Sequence, residues 1–289
     1  MISVFLQGGL GNQLFQIFTT IAHSIKMNST FVFTYDEVLN YGTIRYTYWN
    51  TFLNLLERFT TKDKTLTNHD VQQFIRYNER NFHYDELPNF GKVNVTLFGY
   101  YQSYKYFDFY KEHLFSLIDL ETQQNNMEKY LNCKNINVDT DKLISMHFRI
   151  GDYVDKPDYH PIMTYNYYSS AMRTLRDKKI TSGIVLYFCE NKDNDRVNIM
   201  IDQLKNENKD FSFVKIDDYI PDWEQMLIMS CCHCNIIANS SFSWWGAYFN
   251  KHRDTSSHIA IYPSTWFGPS LRTHNLKDLH PPTWICVTV

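Results

Sequence analysis

Three short polar stretches combine residue types that can grip an anion. The first is Gly8-Gly9-Leu10-Gly11-Asn12-Gln13. Glycines let a backbone approach a ligand closely, and a helix start offers amide donors and a partial positive charge suited to phosphate. The second, His147-Phe148-Arg149-Ile150-Gly151-Asp152-Tyr153, begins at the end of an apolar run. Alternate residues of a strand share a face, so His147 and Arg149 are expected to point together. A guanidinium presents a rigid fork that matches phosphate oxygens, and Gly151 allows a sharp turn that places Asp152. The third, Asn239-Ser240-Ser241-Phe242-Ser243-Trp244-Trp245-Gly246-Ala247, runs from a strand into a helix. Serine hydroxyls and amides at such a junction again favour phosphate. Each stretch also has a purely structural reading, as a tight turn, a turn aspartate or an N-cap.

The elements that must hold these stretches alternate. Residues 2–6 read as an apolar strand, residues 12–27 as an amphipathic helix (Leu14, Phe15, Phe18, Ile21, Ala22, Ile25), and residues 30–35 as a second strand. Residues 40–90 show no regular pattern; a strand near 93–101 and a helix near 104–117 follow. The polar stretch Glu121 to Asp141 reads as a link. Strands are then expected near 142–149, 184–189, 212–216, 235–239 and 258–262, with helices near 164–178, 193–206, 222–232 and 243–252. This is an α/β pattern of two Rossmann-like domains, 1–135 and 136–289, facing across a cleft, with the polar stretches at the strand ends where such sheets bind ligands.

Composition narrows the function. With 28 basic against 31 acidic residues there is no surplus of positive charge, so nucleic acid is not an expected partner. The first 25 residues lack Asp, Glu, Lys and Arg, but glycine and amide residues interrupt them and no basic segment precedes them. Neither a signal peptide nor a membrane span is expected, and a cytoplasmic location is. The six cysteines lack the spacing of a disulfide framework, and Cys231-Cys232-His233-Cys234 is too tightly spaced for a zinc site. Most of the 42 Tyr and Phe residues (21 each) read as core, leaving Tyr100, Tyr101, Tyr153, Phe242, Trp244 and Trp245 as candidate sugar or base platforms.

Taken with Gly99-Tyr100-Tyr101-Gln102-Ser103 and Tyr106-Phe107, the three stretches resemble glycosyltransferase family 11, the α-1,2-fucosyltransferases, in the family's order over most of the chain. The resemblance implies a GT-B-type fold, GDP-fucose held mainly by the C-terminal domain, inversion at the anomeric carbon, and no metal or other cofactor. It implies a glycan or oligosaccharide acceptor, with O2 of a galactoside as the receiving hydroxyl. By position, Arg149 would grip the β-phosphate, His147 would lie near guanine and ribose, and Ser240 and Ser241 would cradle phosphate, flanked by Asn239 and Phe242. Gly9, Gly11 and Asn12 would close over the pyrophosphate from the other domain. The chain departs from the family pattern at three places. Ile150 replaces a second Arg, Cys189-Glu190-Asn191 replaces Ser-Asp-Asp, and Gln225 replaces the Asp expected to read the guanine edge. Gln offers one acceptor and one donor, so the neighbouring Glu224 is the alternative reader.

Arg149, Asp152 and Asn12 form the candidate catalytic set, with Asp152 either the base for the acceptor hydroxyl or an orienter of Arg149. His160, Asp158 and Glu190 are alternative bases. Asp139-Thr140-Asp141 and Asp193-Asn194-Asp195 match the Asp-x-Asp form of metal-dependent transferases, but lie in the link and at a helix start. Competing readings are another GDP-sugar or linkage, a nicotinamide-dependent oxidoreductase and a non-catalytic sugar-binding module. Asp36 would suit the oxidoreductase, whereas Leu14 stands where its fingerprint needs glycine.

Overall fold

The computed structural model describes all residues except Gly42, residues 139–141, Asp254, Ser256 and Ser257, so the first Asp-x-Asp string lies outside the described residues. The chain divides into two compact units. One comprises Met1–Glu121 with His274–Pro281, the other Thr122–Thr273 with Pro282–Val289. Both are α/β and built on parallel sheets.

In the first unit, strand β1 (Ile2–Val4) leads through Gly8, at φ +80°, into helix α1 (Leu10–Lys26). The helix starts two residues before the expected position, because Gly9 takes an extended N-cap backbone and its carbonyl accepts from the Gln13 amide at 3.1 Å. Gly11 and Asn12 therefore sit on the first helical turn rather than in a loop. The apolar face holds Leu14, Phe15, Phe18 and Ile21, yet Gln13, Gln16, Thr19 and Thr20 are buried as well. A hairpin, β2 (Val38–Tyr41) and β3 (Thr43–Tyr46), then helix α2 (Asn68–Gln72) and strand β4 (Ile75–Asn78), occupy the stretch that showed no pattern. Elements of four or five residues are too short to display a period. Strand β5 (Val95–Phe98) completes a parallel sheet of order β1-β5-β4, and helix α3 (Lys111–Leu117) follows two 3-10 turns.

The strand expected over residues 30–35 does not form. Only Phe31 and Phe33 make isolated bridges, to Ile2 and to Thr60. The segment is divided between two partners, and Tyr35 N already donates to the side chains of Thr61 and Asn68.

Helix α4 (Leu120–Cys133) replaces the expected polar link. All but its first two residues belong to the second unit, so the units divide at Glu121/Thr122 and not near residue 135. The reason lies in Gln124, buried, whose amide donates to Ser230 Oγ and Phe249 O, both at 2.8 Å. Then come β6 (Leu143–His147), α5 (Tyr165–Asp177), β7 (Gly183–Phe188), α6 (Asn194–Glu207), β8 (Phe211–Lys215), α7 (Asp222–Ser230), β9 (Cys234–Ile236), α8 (Ser241–Tyr248), β10 (Ile259–Pro263) and β11 (Ile285–Val287). The last, three residues long, was not foreseen. All pair in parallel in the order β8-β7-β6-β9-β10-β11, the doubly wound arrangement in which strand order reverses between the first and fourth strands. Alternation sorts the strands into two cores. Ile144, Met146 and Val185 pack with α5 and α6 residues such as Met172 and Ile201. Leu143, Leu186 and Phe188 pack with Ile228 and Met229 of α7. Cys231, Cys232 and Cys234 are buried free thiols. Among the described residues no helix is long and apolar enough to cross a membrane.

Gln124→Ala removes the donor shared by two buried acceptors. The expected cost is about 1–3 kcal/mol, read as a lower urea midpoint with an unchanged slope.

Candidate anion-binding site

Parallel α/β sheets bind ligands outside the carboxyl ends of their strands, where the winding reverses. In the second unit that point lies between β6 and β9, and two of the three polar stretches are there. His147 ends β6, and the chain continues through Arg149 into a 3-10 turn over Gly151–Asp155. From β9 the chain runs through Asn239 to the N-terminus of α8.

Arg149 is mostly buried, with its side chain 19% exposed. Its Nη2 is hydrogen-bonded to Asp152 Oδ1 and its Nη1 to Glu190 Oε1, and the guanidinium lies 4.8 Å from the centre of the Tyr153 ring. Burial opposes its charge, but Tyr153, Asp152 and Glu190 outweigh it and raise the guanidinium's pKa. Lys192, 3.1 Å from Glu190, extends the line of alternating charges. Tyr153 stacks on His160 at 4.6 Å and donates its hydroxyl to Asn239 O at 3.1 Å, tying the segment after β6 to that after β9. Burial, and then the Arg149 and Lys156 charges against that of Asp152, lower the His160 pKa.

Gly151 lets this arrangement close. Its φ is +40°, and a Cβ there would sit 2.6 Å from Glu190 Oε1 and 3.0 Å from Arg149 Nη1. Its amide donates to Asp193 Oδ2 at 2.8 Å, and Asp193 is buried. Asp193 was legible only as a helix-start acid in the second Asp-x-Asp string; in the structure it fixes the turn that carries Arg149 and Asp152. Among the described residues, no three His, Cys, Asp or Glu side chains gather in a way that could hold a metal.

Two buried polar atoms nearby have no partner among the described residues. His147 Nδ1 is one and Asn239 Oδ1 the other, although the Asn239 amide donates to Pro161 O and Trp266 O. Buried polar groups are almost always paired, so two orphans at adjacent strand ends are candidates to meet a ligand's polar groups. The His147 ring packs on Phe242, 5.4 Å between centres. Ser240 is the N-cap of α8, yet its side chain makes no capping bond, and Ser241 begins the helix.

Other candidates are placed less centrally. Gln225 is half-buried with its amide donated to Ile220 O at 2.8 Å, while Glu224 beside it is half-buried and its pKa is raised by burial. Asp158 is exposed, its backbone carbonyl taking the Ser270 amide. Trp244, Trp245 and Tyr101 are fully buried and so are core rings, leaving Tyr100, Tyr153 and Phe242 as possible platforms. In the first unit, Gly9 and Gly11 lie at the start of α1, and Asn12 Oδ1 accepts from Gln102 Nε2 at 2.8 Å. Asp36 accepts from Asn68 Nδ2 at 3.1 Å, an internal use for the acid that suited a dinucleotide.

The sequence model of glycosyl transferase family 11 matches residues 1–288. The chain is 25% identical over 320 residues to the O-antigen biosynthesis glycosyltransferase WbnK of Escherichia coli, covering 97% of this chain and 98% of that protein. It is 26% identical over 298 residues to an alpha-1,2-colitosyltransferase of Escherichia coli, covering 97% and 96%. Among solved structures, a mutant of Arabidopsis thaliana FUT1 in complex with GDP matches 97% of this chain and 74% of its own at 11% identity, with a TM-score of 0.49, too low to superpose one site on the other.

Burial, and secondarily Arg149, push the His147 pKa down to about 3. His147 is therefore expected to stay neutral from about pH 5 to 8, the range in which an ordinary histidine titrates, with ring NMR signals that do not move. Since its folded value lies below its unfolded one, its contribution to stability is present above about 6.5 and is lost as pH falls below it. A ring midpoint within the range would contradict the assignment.

Proposed function

The chain belongs to glycosyl transferase family 11, and from that premise we propose that it transfers L-fucose, or a closely related 6-deoxy sugar, from a GDP-sugar to O2 of a galactoside on a glycan. The reaction inverts the anomeric carbon and uses no metal. The observation that carries this reading is the constellation at the carboxyl ends of β6 and β9. It comprises a mostly buried Arg149, the N-terminus of α8 with its uncapped Ser240, and the orphaned His147 Nδ1 and Asn239 Oδ1. A nucleoside diphosphate supplies oxygens for the first two and polar edges for the others.

The acceptor oxygen attacks C1 of the sugar as the bond from C1 to the β-phosphate oxygen breaks, and GDP departs with the bonding electrons. Negative charge grows on that phosphate, and donors preset against it lower the barrier. Arg149 has five N–H donors, so it can meet phosphate with those not held by Asp152 and Glu190. Asp152, bonded to Arg149 Nη2, has the geometry of an orienter. It also carries a carboxylate that can take the acceptor's proton as the new bond forms. The name of the alpha-1,2-colitosyltransferase relative supports both the linkage and the wider choice of donor.

The test is incubation with GDP-fucose, GDP-colitose, GDP-mannose or UDP-sugars and a panel of galactosides, with and without EDTA. An α-1,2 product from a GDP-6-deoxy sugar, undiminished by EDTA, is expected. Exclusive use of a UDP-sugar, or loss of activity in EDTA, would overturn the proposal. Arg149→Ala is expected to lower turnover by about 10²–10³-fold, and Arg149→Lys to stay poor because it lacks the fork. Gly151→Ala, which forces a Cβ against Glu190 and Arg149, is expected to weaken GDP binding about tenfold or more, the effect of about 1.4 kcal/mol, by calorimetry.

A further inference from the structure

A second carboxylate sits at the carboxyl end of a parallel sheet, in the first unit. Glu79 immediately follows β4 and is half-buried beside the end of β5. Its Oε2 accepts the Tyr100 amide at 2.7 Å and its Oε1 the Tyr101 amide at 2.9 Å. Two consecutive amides on one carboxylate fix a turn, and Tyr101 within it has φ +53°, a backbone uncommon for a bulky residue. Gly99 makes room, since a Cβ there would lie 2.3 Å from Glu79 Cβ and 2.5 Å from Oε2. The other side of the turn is held by α1, where Gln16 Nε2 donates to Gly99 O at 3.1 Å and Gln16 Oε1 accepts the Gln7 amide at 3.0 Å. The turn delivers Gln102, whose amide donates to Asn12 Oδ1 at 2.8 Å on the first turn of α1.

We propose that Glu79 is a positioning residue. Its ionised carboxylate holds the turn over Gly99–Gln102 in the form that presents Gln102 to Asn12, and so makes sugar transfer depend on pH through the first unit. This rests on the transferase reading for its effect on rate, but not for its effect on structure. An ionised carboxylate can receive both amides; a protonated one turns one oxygen into a hydroxyl donor and weakens the pair of contacts. Among the described residues, no cation pairs with Glu79. Tyr100, Tyr101 and Tyr106 present phenols, while the neighbouring cations lie over rings, Arg76 3.3 Å from the centre of Phe98 and Arg80 5.7 Å from that of Tyr77. Burial, against the two amide bonds, pushes the Glu79 pKa up to about 7.

The sign of the linkage separates positioning from folding. A carboxyl raised above its unfolded value contributes stability that is present at low pH and lost as pH rises through about 7. Activity should run the other way, falling as pH drops through the same range.

The experiment has two arms on wild type and Glu79→Gln. In NMR, the Tyr100 and Tyr101 amide signals and the Gln102 side-chain amide should titrate together near neutrality in wild type and stay flat in the variant. In kinetics with GDP-fucose and a galactoside, wild-type kcat/KM should fall on the acid side, and Glu79→Gln should lose that limb and run about tenfold or more below the wild-type plateau. Gly99→Ala, which displaces the carboxylate, should reproduce the lower rate while Arg149 and its partners are intact. Amide signals that do not titrate in wild type, or an acid limb that persists in Glu79→Gln, would overturn the proposal. Co-titrating amides in a chain that transfers no fucose would leave Glu79 as the strut and retire the GDP-fucose reading instead.

Discussion

A cation withdrawn from water must be paired, and the account of this protein turns on how Arg149 meets that requirement. The guanidinium is held between Asp152 and Glu190 over the face of Tyr153, at the carboxyl ends of β6 and β7. The guanidinium is mostly buried while its partners reach the solvent edge, their side chains 41% and 46% exposed, so losing either one leaves the inner charge less well compensated. The surrounding backbone is accordingly shaped to keep both. Gly151 has no side chain to separate them, Asp193 holds the Gly151 amide, and the Tyr153 hydroxyl ties the turn to Asn239. The same pairing positions the guanidinium in advance, so an arriving phosphate meets an oriented fork rather than a flexible chain.

The sheet explains why these groups converge. Its winding reverses between β6 and β9, so the connecting helices pack on opposite faces of the sheet, the arrangement whose strand ends bind ligands in α/β sheets generally. That reversal brings together residues separated by some ninety positions in the chain, His147 and Arg149 from one strand end and Asn239 to Phe242 from the other. The first unit repeats the principle on a smaller sheet. Glu79, the Gly99 turn, Gln102 and Asn12 link the ends of β4 and β5 to the start of α1 through hydrogen bonds rather than charge pairs. Each unit thus anchors its polar stretch with a carboxylate drawn from a neighbouring strand end.

Much of this was legible in the sequence. Long apolar periods foretold α1, α5 and the buried strands β6 and β7, and the polar stretches fell at strand ends as expected. What escaped has physical reasons. Residues 30–35 have the β-branched and aromatic content of a strand, but propensity cannot reveal that the segment divides its bonds between two partners. Helix α4 looked like a link because its residues are polar; the buried Gln124 gives no hydrophobic signal, and only its two acceptors explain its place. Trp244 and Trp245 drew attention as platforms and are core, because rings beside a motif in sequence need not face its ligand. Asp193 and Glu79 act through backbone amides distant in the chain, and a contact of that kind leaves no spacing to read.

The most direct test of the central claim is a structure of the protein with GDP bound. Diphosphate oxygens are expected within hydrogen-bond distance of the Arg149 guanidinium and the first amides of α8, with a polar edge of the nucleotide on His147 Nδ1 or Asn239 Oδ1. GDP bound elsewhere, with Arg149 still held only by Asp152 and Glu190 and both orphan atoms unpartnered, would contradict it.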